Sequence, residues 1–157
     1  MTEKNINISF IEYNSIEELC SADASLVREA IDAMKGSFAP YSHFNVGAAL
    51  RLDSGRVVRG ANQENAAFPS GMCAERSAMF AAASQYPQDH ISCIAIAGGL
   101  DGVQADDPVS PCGACRQVMA QYQLTAGENM TILLVSDGKT LKFSKVDDLL
   151  PLIFDNI

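Results

Sequence analysis

Apolar residues recur at helical spacing in three parts of the chain and form short uninterrupted runs between them. The spacing predicts helices over residues 25–35, 73–84 and 112–122, and the runs predict strands over 46–52, 57–61, 93–97, 130–135 and 139–143. Gly36 is placed to end the first helix, and Pro111 stands just ahead of the third. The first twenty residues alternate weakly, at Ile6, Ile8 and Phe10, and could add one more strand at a sheet edge.

Turn-forming residues separate these elements. The residues Asp53-Ser-Gly55 predict a hairpin turn, whereas 38–44, 68–72 and 98–111 are predicted to be loops or breaks. The resulting order is helix, hairpin, helix, strand, helix, strand. This order predicts an α/β fold in which one three-layer domain over residues 1–157 has a mixed central sheet of about five strands, with helices on both faces.

Composition narrows the classes of protein and partner. The length of 157 residues suits one domain, and 48% hydrophobic against 19% charged residues excludes intrinsic disorder. The formal charge of −8 argues against nucleic acid or an anionic membrane as partner, because such surfaces are bound through clustered Lys and Arg. A neutral small molecule remains compatible with this charge.

The sequence also predicts a compartment. No segment approaches the ~20 continuous apolar residues of a membrane span, and the first residues lack the basic flank and apolar run of a signal peptide. We therefore expect a cytoplasmic protein without a membrane partner. Its five cysteines should then be reduced, so that a close cluster indicates metal binding or catalysis.

Three cysteines form such a cluster. Cys112 and Cys115 lie one helical turn apart at the start of a predicted helix, so both thiols can reach one ion. Cys73 opens another predicted helix and can supply a third ligand. Three protein ligands leave one corner of a tetrahedral zinc open, which distinguishes a catalytic zinc from a structural one. Cys20 and Cys93 lack partners at such spacing and are expected to be buried small hydrophobic residues.

Two neighbours of Cys73 can support this chemistry. Glu75 is placed to transfer protons beside the metal, although an acid in a first helical turn also favours the helix dipole. Three thiolates and one Zn²⁺ sum to −1, and positive helix ends offset part of that charge. Arg76 could offset more through hydrogen bonds to sulfur, or could be an ordinary surface residue.

These motifs together resemble the small, three-cysteine type of cytidine deaminase. The zinc deaminases carry a His- or Cys-x-Glu followed by Pro-Cys-x-x-Cys. The resemblance runs from about Leu26 to Phe154, leaving residues 1–21 as an N-terminal extension. The matching stretches are Ala39-Pro-Tyr-Ser-His-Phe-Asn-Val-Gly-Ala-Ala49, Asn62-Gln-Glu-Asn-Ala66, Cys73-Ala-Glu-Arg76, Ser110-Pro-Cys-Gly-Ala-Cys-Arg-Gln-Val118 and Leu149-Leu-Pro-x-x-Phe154.

The resemblance implies an activity. It is the zinc-dependent hydrolysis of cytidine and 2′-deoxycytidine to uridine and 2′-deoxyuridine, with release of ammonia, in pyrimidine salvage. Glu75 would take a proton from water, deliver it to N3 of the base and then protonate the leaving amine. No organic cofactor is implied. The type is a homotetramer with sites shared between subunits, so we expect the same assembly here.

The resemblance also implies site residues. Cys73, Cys112 and Cys115 would hold zinc, with Arg76 balancing the thiolate charge. The implied substrate contacts are Asn62 and Glu64 to the ribose 3′-hydroxyl, Phe44 to the pyrimidine, the Ala74 amide to the base O2, the Ser110 carbonyl to the amine, and Phe154 to the base in a neighbouring subunit.

The sequence departs from the family pattern at three positions. Phe68 stands where many members have Tyr, Ser70 where many have Leu, and Asn45 where many have Pro. The metal and proton roles do not involve these positions. The departures bear on contacts at the edge of the pocket, and so on preference among nucleosides.

Other functions compete with this interpretation. Cys112-Gly-Ala-Cys115 superficially matches a thioredoxin-type dithiol, which would leave Cys73 and Glu75 unexplained. A zinc-stabilised binding protein would more often close its site with a fourth ligand. Within the deaminases, the negative net charge disfavours a nucleic-acid editor. The sequence also lacks the basic cluster that would bind the phosphate of a nucleotide substrate. Blasticidin-type deaminases share the metal motifs but are less similar around Asn62 to Glu64.

Overall fold

This computed structural model describes residues 1–155, which contain three α-helices and six β-strands. The helices, numbered in chain order, are α1 (Ser21–Ala33), α2 (Ala74–Gln85) and α3 (Gly113–Ala126). The strands are β1 (Ile11–Tyr13), β2 (Phe44–Leu52), β3 (Val57–Ala61), β4 (Ile91–Leu100), β5 (Thr131–Val135) and β6 (Thr140–Phe143). Within residues 1–155, none of the helices is long and apolar enough to cross a membrane.

The strands form one mixed sheet in the order β1–β6–β5–β4–β2–β3. Strands β4 and β5 are parallel, and every other neighbouring pair is antiparallel. The predicted α/β class with a mixed sheet is confirmed, and the expected strand number of about five becomes six. The extra strand is β1, which is three residues long and pairs with β6 at the sheet edge.

The period-two alternation of the strands divides the core between the two faces of the sheet. Ile94 and Ile96 of β4 point to the cluster that packs against α2 and α3. Cys93, Ala95 and Ala97 point to the opposite cluster, which packs against α1. The helices therefore cover both faces, as the sequence predicts.

Strand direction brings the N-termini of α2 and α3 to one edge of the sheet. Strands β3 and β4 are both antiparallel to β2, so they run in the same direction and end at the same edge. Helix α2 follows β3 along the chain and α3 follows β4, and both helices pack on the same face. In sheets of this kind, ligands bind at the carboxyl ends of parallel strands.

Gly60 lets α2 pack directly on β3. A Cβ at this position would lie 2.6 Å from the backbone oxygen of Ala74 and would also collide with the backbone nitrogen of Ala78. Real Cβ atoms do not approach backbone this closely. Glycine is therefore required for the first turn of α2 to rest on the sheet.

Helix α1 and strand β4 are among the elements that extend beyond their predicted bounds. Helix α1 begins at Ser21, four residues before the predicted start, because its first turn buries the polar Asp23 rather than an apolar residue. Strand β4 spans ten residues and includes Gly98 to Leu100, which were predicted to be loop. The glycines there do not end the strand because it pairs with β2 as far as the Phe44–Leu100 register.

The predicted edge strand forms within the first twenty residues, but it begins after the alternating positions. Ile6, Ile8 and Phe10 are exposed and outside any strand, and pairing begins at Ile11, opposite Lys142. The partner strand β6 has only four residues, which limits how far β1 can pair. The division at residue 21 into an extension and a common core stays a prediction.

The two cysteines outside the cluster differ from each other. Cys93 is fully buried, as expected, and burial raises the pKa of its thiol to about 12. Cys20 is exposed at the residue that precedes α1, so the expectation that it packs in the core is wrong. Its place is set by the helix boundary, which the apolar pattern located four residues too late.

A buried carboxylate ties α1 to the sheet. Asp23 is 2% exposed and accepts hydrogen bonds from Nη2 of Arg51 at 2.9 Å and from Nζ of Lys142 at 2.6 Å. Burial alone raises the pKa of a carboxyl group, but the two cations outweigh it and hold the pKa of Asp23 below its usual value. The network joins α1 to β2 and β6.

We expect Asp23→Ala to lower the free energy of unfolding by roughly 2 kcal/mol, less than for a fully buried pair because the two cations stay partly exposed. The loss should be full above about pH 4 and should shrink as the pH falls through the depressed pKa of Asp23. Urea unfolding at several pH values measures it. Asp32→Ala on the exposed side of α1 is the control, and an equal effect there would contradict the account.

Candidate active site

Three sulfur atoms meet where α2 and α3 begin. Cys73 precedes the first residue of α2, Cys112 precedes that of α3, and Cys115 lies in the first turn of α3. The Sγ atoms of Cys73 and Cys112 are 3.8 Å apart, and those of Cys112 and Cys115 are 3.4 Å apart. All three lie within 4.8 Å of one another. The structure thus brings together the three predicted ligands.

This spacing fits zinc. Three sulfurs at about 2.3 Å from a tetrahedral Zn²⁺ lie about 3.8 Å from one another. Within residues 1–155, the metal-binding group that contains these cysteines has three donors and no fourth His, Cys, Asp or Glu. A metal held here keeps one coordination position for water or substrate, as catalytic zinc sites do.

Helix ends and one cation favour thiolates at this point. Because Cys73 and Cys112 flank helix N-termini, each sulfur lies near the positive end of a helix dipole. Nη2 of Arg76 donates to Sγ of Cys73 at 3.8 Å. This hydrogen bond raises the pKa of Arg76, which stays cationic. Arg76 therefore contacts the sulfur of Cys73 rather than standing free at the surface.

The thiols do not ionise equally. Hydrogen bonds from Cys115 and Arg76, opposed by partial burial, lower the pKa of Cys73 to about 5. The pKa of Cys115 is raised because its thiol proton bonds to Cys73 and its sulfur is buried. Cys73 is therefore the thiol whose deprotonation these neighbours favour.

Glu75 is a buried acid beside the sulfurs. It is the second residue of α2 and only 4% exposed. Burial is the main cause that raises the pKa of its carboxyl group, and the nearby Cys73 adds to the increase. A carboxyl group whose pKa approaches the working pH can both accept and return a proton.

A cleft of about 410 Å³ opens beside Cys73. This volume is in the range of small-molecule sites. Its lining consists of Tyr41, Asn62, Gln63, Glu64, Asn65, Phe68, Gly71, Met72, Cys73 and Arg76. The cleft therefore joins a predicted metal ligand to both predicted ribose contacts.

Backbone pairing fixes this arrangement. Gln63 and Met72 exchange two N–H···O bonds of 2.8 Å, which form an isolated bridge just before Cys73. Asn62 and Glu64 are the residues directly before and after Gln63. The segment that carries these polar side chains is thus held against the segment that leads into the metal cluster.

Asn62 and Glu64 are both oriented by hydrogen bonds. Nδ2 of Asn62 donates to the carbonyl oxygen of Phe44, and Oδ1 accepts from the Val46 N–H, each at 2.8 Å. Oε2 of Glu64 accepts from the Tyr41 N–H at 2.9 Å. The Ser42 hydroxyl, together with that N–H, lowers the pKa of Glu64 and keeps it a carboxylate.

The other four predicted contacts lie outside the lining of the cleft. Ala74 is buried as the first residue of α2, where backbone N–H groups have no acceptor within the helix. Phe44 is half-buried at the start of β2, and Ser110 is exposed just ahead of Pro111. Phe154 is 68% exposed near the C-terminus. Among the described residues, none of these four belongs to the lining of the cleft in the single chain.

Sequence reasoning missed some residues of the site. Tyr41 lies at the cleft rim and its ring meets that of Phe68 edge-on, with 5.7 Å between centroids. Arg116 donates through Nε to the carbonyl oxygen of Pro111 at 2.9 Å and so holds the turn that enters α3. Both residues lie in the matching stretches quoted above, but nothing in their spacing indicated a role.

Comparisons with known proteins agree with this geometry. The family model described as "Cytidine and deoxycytidylate deaminase zinc-binding region" matches residues 20–127. A cytidine deaminase of Halalkalibacterium halodurans is 48% identical over 61% of this chain and 68% of its own length. One from Sporosarcina psychrophila is 36% identical over 80% of this chain and 86% of its own.

Solved structures give the same result. The crystal structure of cytidine deaminase from Burkholderia pseudomallei superposes with a TM-score of 0.72 at 36% identity, covering 83% of this chain and 97% of that one. The enzyme from Mycobacterium tuberculosis gives a TM-score of 0.66 at 32% identity, covering 84% and 96%. Because the family model and these relatives span most of the chain, it belongs to the cytidine deaminase family.

Proposed function

We propose that this protein hydrolyses cytidine and 2′-deoxycytidine to the corresponding uridines and releases ammonia. The observation that carries this proposal is a group of three thiols, without a fourth ligating side chain among the described residues, set beside a buried acid. Hydrolysis at C4 of cytosine needs an activated water and a group that moves protons between that water and the base. The two features supply these requirements.

The protein's own groups divide the work. Cys73, Cys112 and Cys115 would hold zinc, which when bound supplies Lewis acidity that lowers the pKa of water. Glu75 accepts one proton of the attacking water and gives it to N3 of the base. It then takes the second water proton from the new C4 hydroxyl and gives it to the amine, so that ammonia leaves and the C4 carbonyl forms. Its raised pKa suits a group that must act as base and then as acid. Arg76 balances charge at Cys73.

The surrounding polar groups would hold the nucleoside. Glu64, fixed by the Tyr41 N–H, is a carboxylate that can accept from the ribose 3′-hydroxyl. Asn62 has one amide N–H left after its bonds to β2, which can donate to the same hydroxyl. Ala74 offers a free N–H for the base O2, Phe44 would pack against the pyrimidine, and the Ser110 carbonyl would accept from the amine.

The charge of the cleft favours nucleosides over nucleotides. Among the described residues that line it, Arg76 is the one basic side chain, and it is engaged with Cys73. A phosphate would meet Glu64 rather than a free cation or a glycine-rich cradle. A phosphorylated substrate would therefore be repelled.

The complete site would be shared between subunits of a homotetramer. Phe154 lies outside the cleft and stands exposed, so it can contact the base bound by a neighbouring copy. The cytoplasm suits this enzyme because its thiol pool keeps cysteines reduced, and all five cysteines are free here.

A direct assay tests the activity. Zinc-loaded protein incubated with cytidine or 2′-deoxycytidine should shift the ultraviolet spectrum to that of the uridine and release one equivalent of ammonia. Cytidine 5′-monophosphate under the same conditions should react far more slowly. Zinc-loaded, folded protein that leaves both nucleosides unchanged would overturn the proposal.

We expect Glu75→Gln to lower kcat by about 10²–10⁴-fold, because the amide cannot relay the proton. Zinc content, measured by atomic absorption, should stay at that of the unchanged protein, since Glu75 is not a ligand. Wild-type turnover in this variant would remove Glu75 from the mechanism.

Cysteine substitution separates the metal site from a redox dithiol. Cys115→Ala should lose zinc and activity, whereas Cys93→Ala, which also truncates a fully buried cysteine, should keep about one zinc per chain. Metal analysis and thiol titration of both variants measure this. A metal-free wild-type protein with a Cys112–Cys115 disulfide would support the redox alternative instead.

A further inference from the structure

The C-terminal segment is held by two consecutive side chains of α3. Nη1 of Arg116 donates to the carbonyl oxygen of Leu149 at 2.8 Å. Gln117 bonds both backbone groups of Phe154, donating from Nε2 to its carbonyl oxygen at 2.8 Å and accepting from its N–H at 3.2 Å. A side-chain amide thus pairs with the chain as a neighbouring strand would.

The pairing with Gln117 holds Phe154 in place, whereas side-chain packing does not. The ring of Phe154 is 68% exposed and Leu152 is 84% exposed, while Ile153 between them packs against the core. Phe154 lies outside any helix or strand, and among the described residues its backbone N–H and carbonyl groups bond to Gln117. The two bonds therefore fix the backbone position from which the exposed side chain of Phe154 extends.

The attachment also has a fixed relation to the metal cluster. Gln117 follows Cys115 by two residues on the same helix, and Arg116 contacts both Pro111 and Leu149. The start of α3 therefore carries two of the predicted sulfur ligands, and its next two residues hold the C-terminal segment. Because a helix is rigid over this distance, α3 fixes the position of Phe154 relative to the cysteine cluster of its own chain.

We infer that Gln117 is a positioning residue that presents Phe154 to the nucleoside bound by a neighbouring subunit. The inference rests on the proposed function, in which Phe154 completes a shared site. Gln117 touches neither metal nor substrate in this scheme and acts through Phe154 alone. It raises the fraction of chains whose Phe154 is placed to bind, which lowers KM and leaves the proton transfer at Glu75 unchanged.

Gln117→Ala should raise KM for cytidine by roughly 5–20-fold, because two hydrogen bonds that select the binding conformation are lost. Zinc content should be unchanged, and kcat should stay within about twofold, since the substitution does not touch the reacting groups. Gln121→Ala, one turn along α3, is the matched control and should match wild type, because among the described residues the Gln121 side chain bonds to Thr125 and not to the C-terminal segment.

Combining the variant with Phe154→Ala isolates the route of the effect. If Gln117 acts through Phe154, the double variant should have the KM of Phe154→Ala alone, so the two changes are not additive. Gln117→Glu should fall between wild type and Gln117→Ala, because a carboxylate can accept from the Phe154 N–H but cannot donate to its carbonyl oxygen.

The outcomes distinguish the two levels of proposal. A wild-type KM in Phe154→Ala would overturn the shared-site role of Phe154 and the inference with it. A raised KM in Phe154→Ala beside a wild-type KM in Gln117→Ala would overturn the inference alone. Additive effects, or loss of zinc or kcat in Gln117→Ala, would show that Gln117 acts through α3 and not through Phe154, which also overturns it.

Discussion

The site depends on holding three sulfur ligands within reach of one ion although their charges repel. The fold meets this constraint by strand direction: β3 and β4 run the same way, so the helices that follow them begin at the same edge and on the same face. Gly60 lets α2 rest directly on the sheet, and Arg116 fixes the turn that enters α3. The thiols of Cys73, Cys112 and Cys115 meet as a consequence.

The same arrangement sets the electrostatics that the chemistry needs. Helix N-termini favour thiolates in the cluster, and hydrogen bonds from Cys115 and Arg76 lower the pKa of Cys73. The net charge of a bound divalent cation and its surroundings would then be close to zero rather than strongly negative. Such a cation could still lower the pKa of water. Burial of Glu75 raises its pKa beside this centre, which suits the proton-transfer role that we propose for it.

The sequence allowed the elements, the ligand set and the acid to be predicted, because helical spacing and the Cys-x-Glu and Pro-Cys-x-x-Cys motifs are local. Distances were beyond it: that Cys73 lies 3.8 Å from Cys112 depends on sheet order, which a local pattern does not encode. The start of α1 was predicted too late because a buried ion pair at Asp23 replaces an apolar position. The bonds of Gln117 had no signal, since they join a side chain to backbone 37 residues away.

The metal's coordination is the central claim, and X-ray absorption at the zinc edge tests it most directly. The account predicts three sulfur atoms at about 2.3 Å and one lighter oxygen or nitrogen atom, in a protein with about one zinc per chain. Four sulfur atoms, or fewer than three, would contradict it, because the first leaves no position for water and the second breaks the ligand set of Cys73, Cys112 and Cys115.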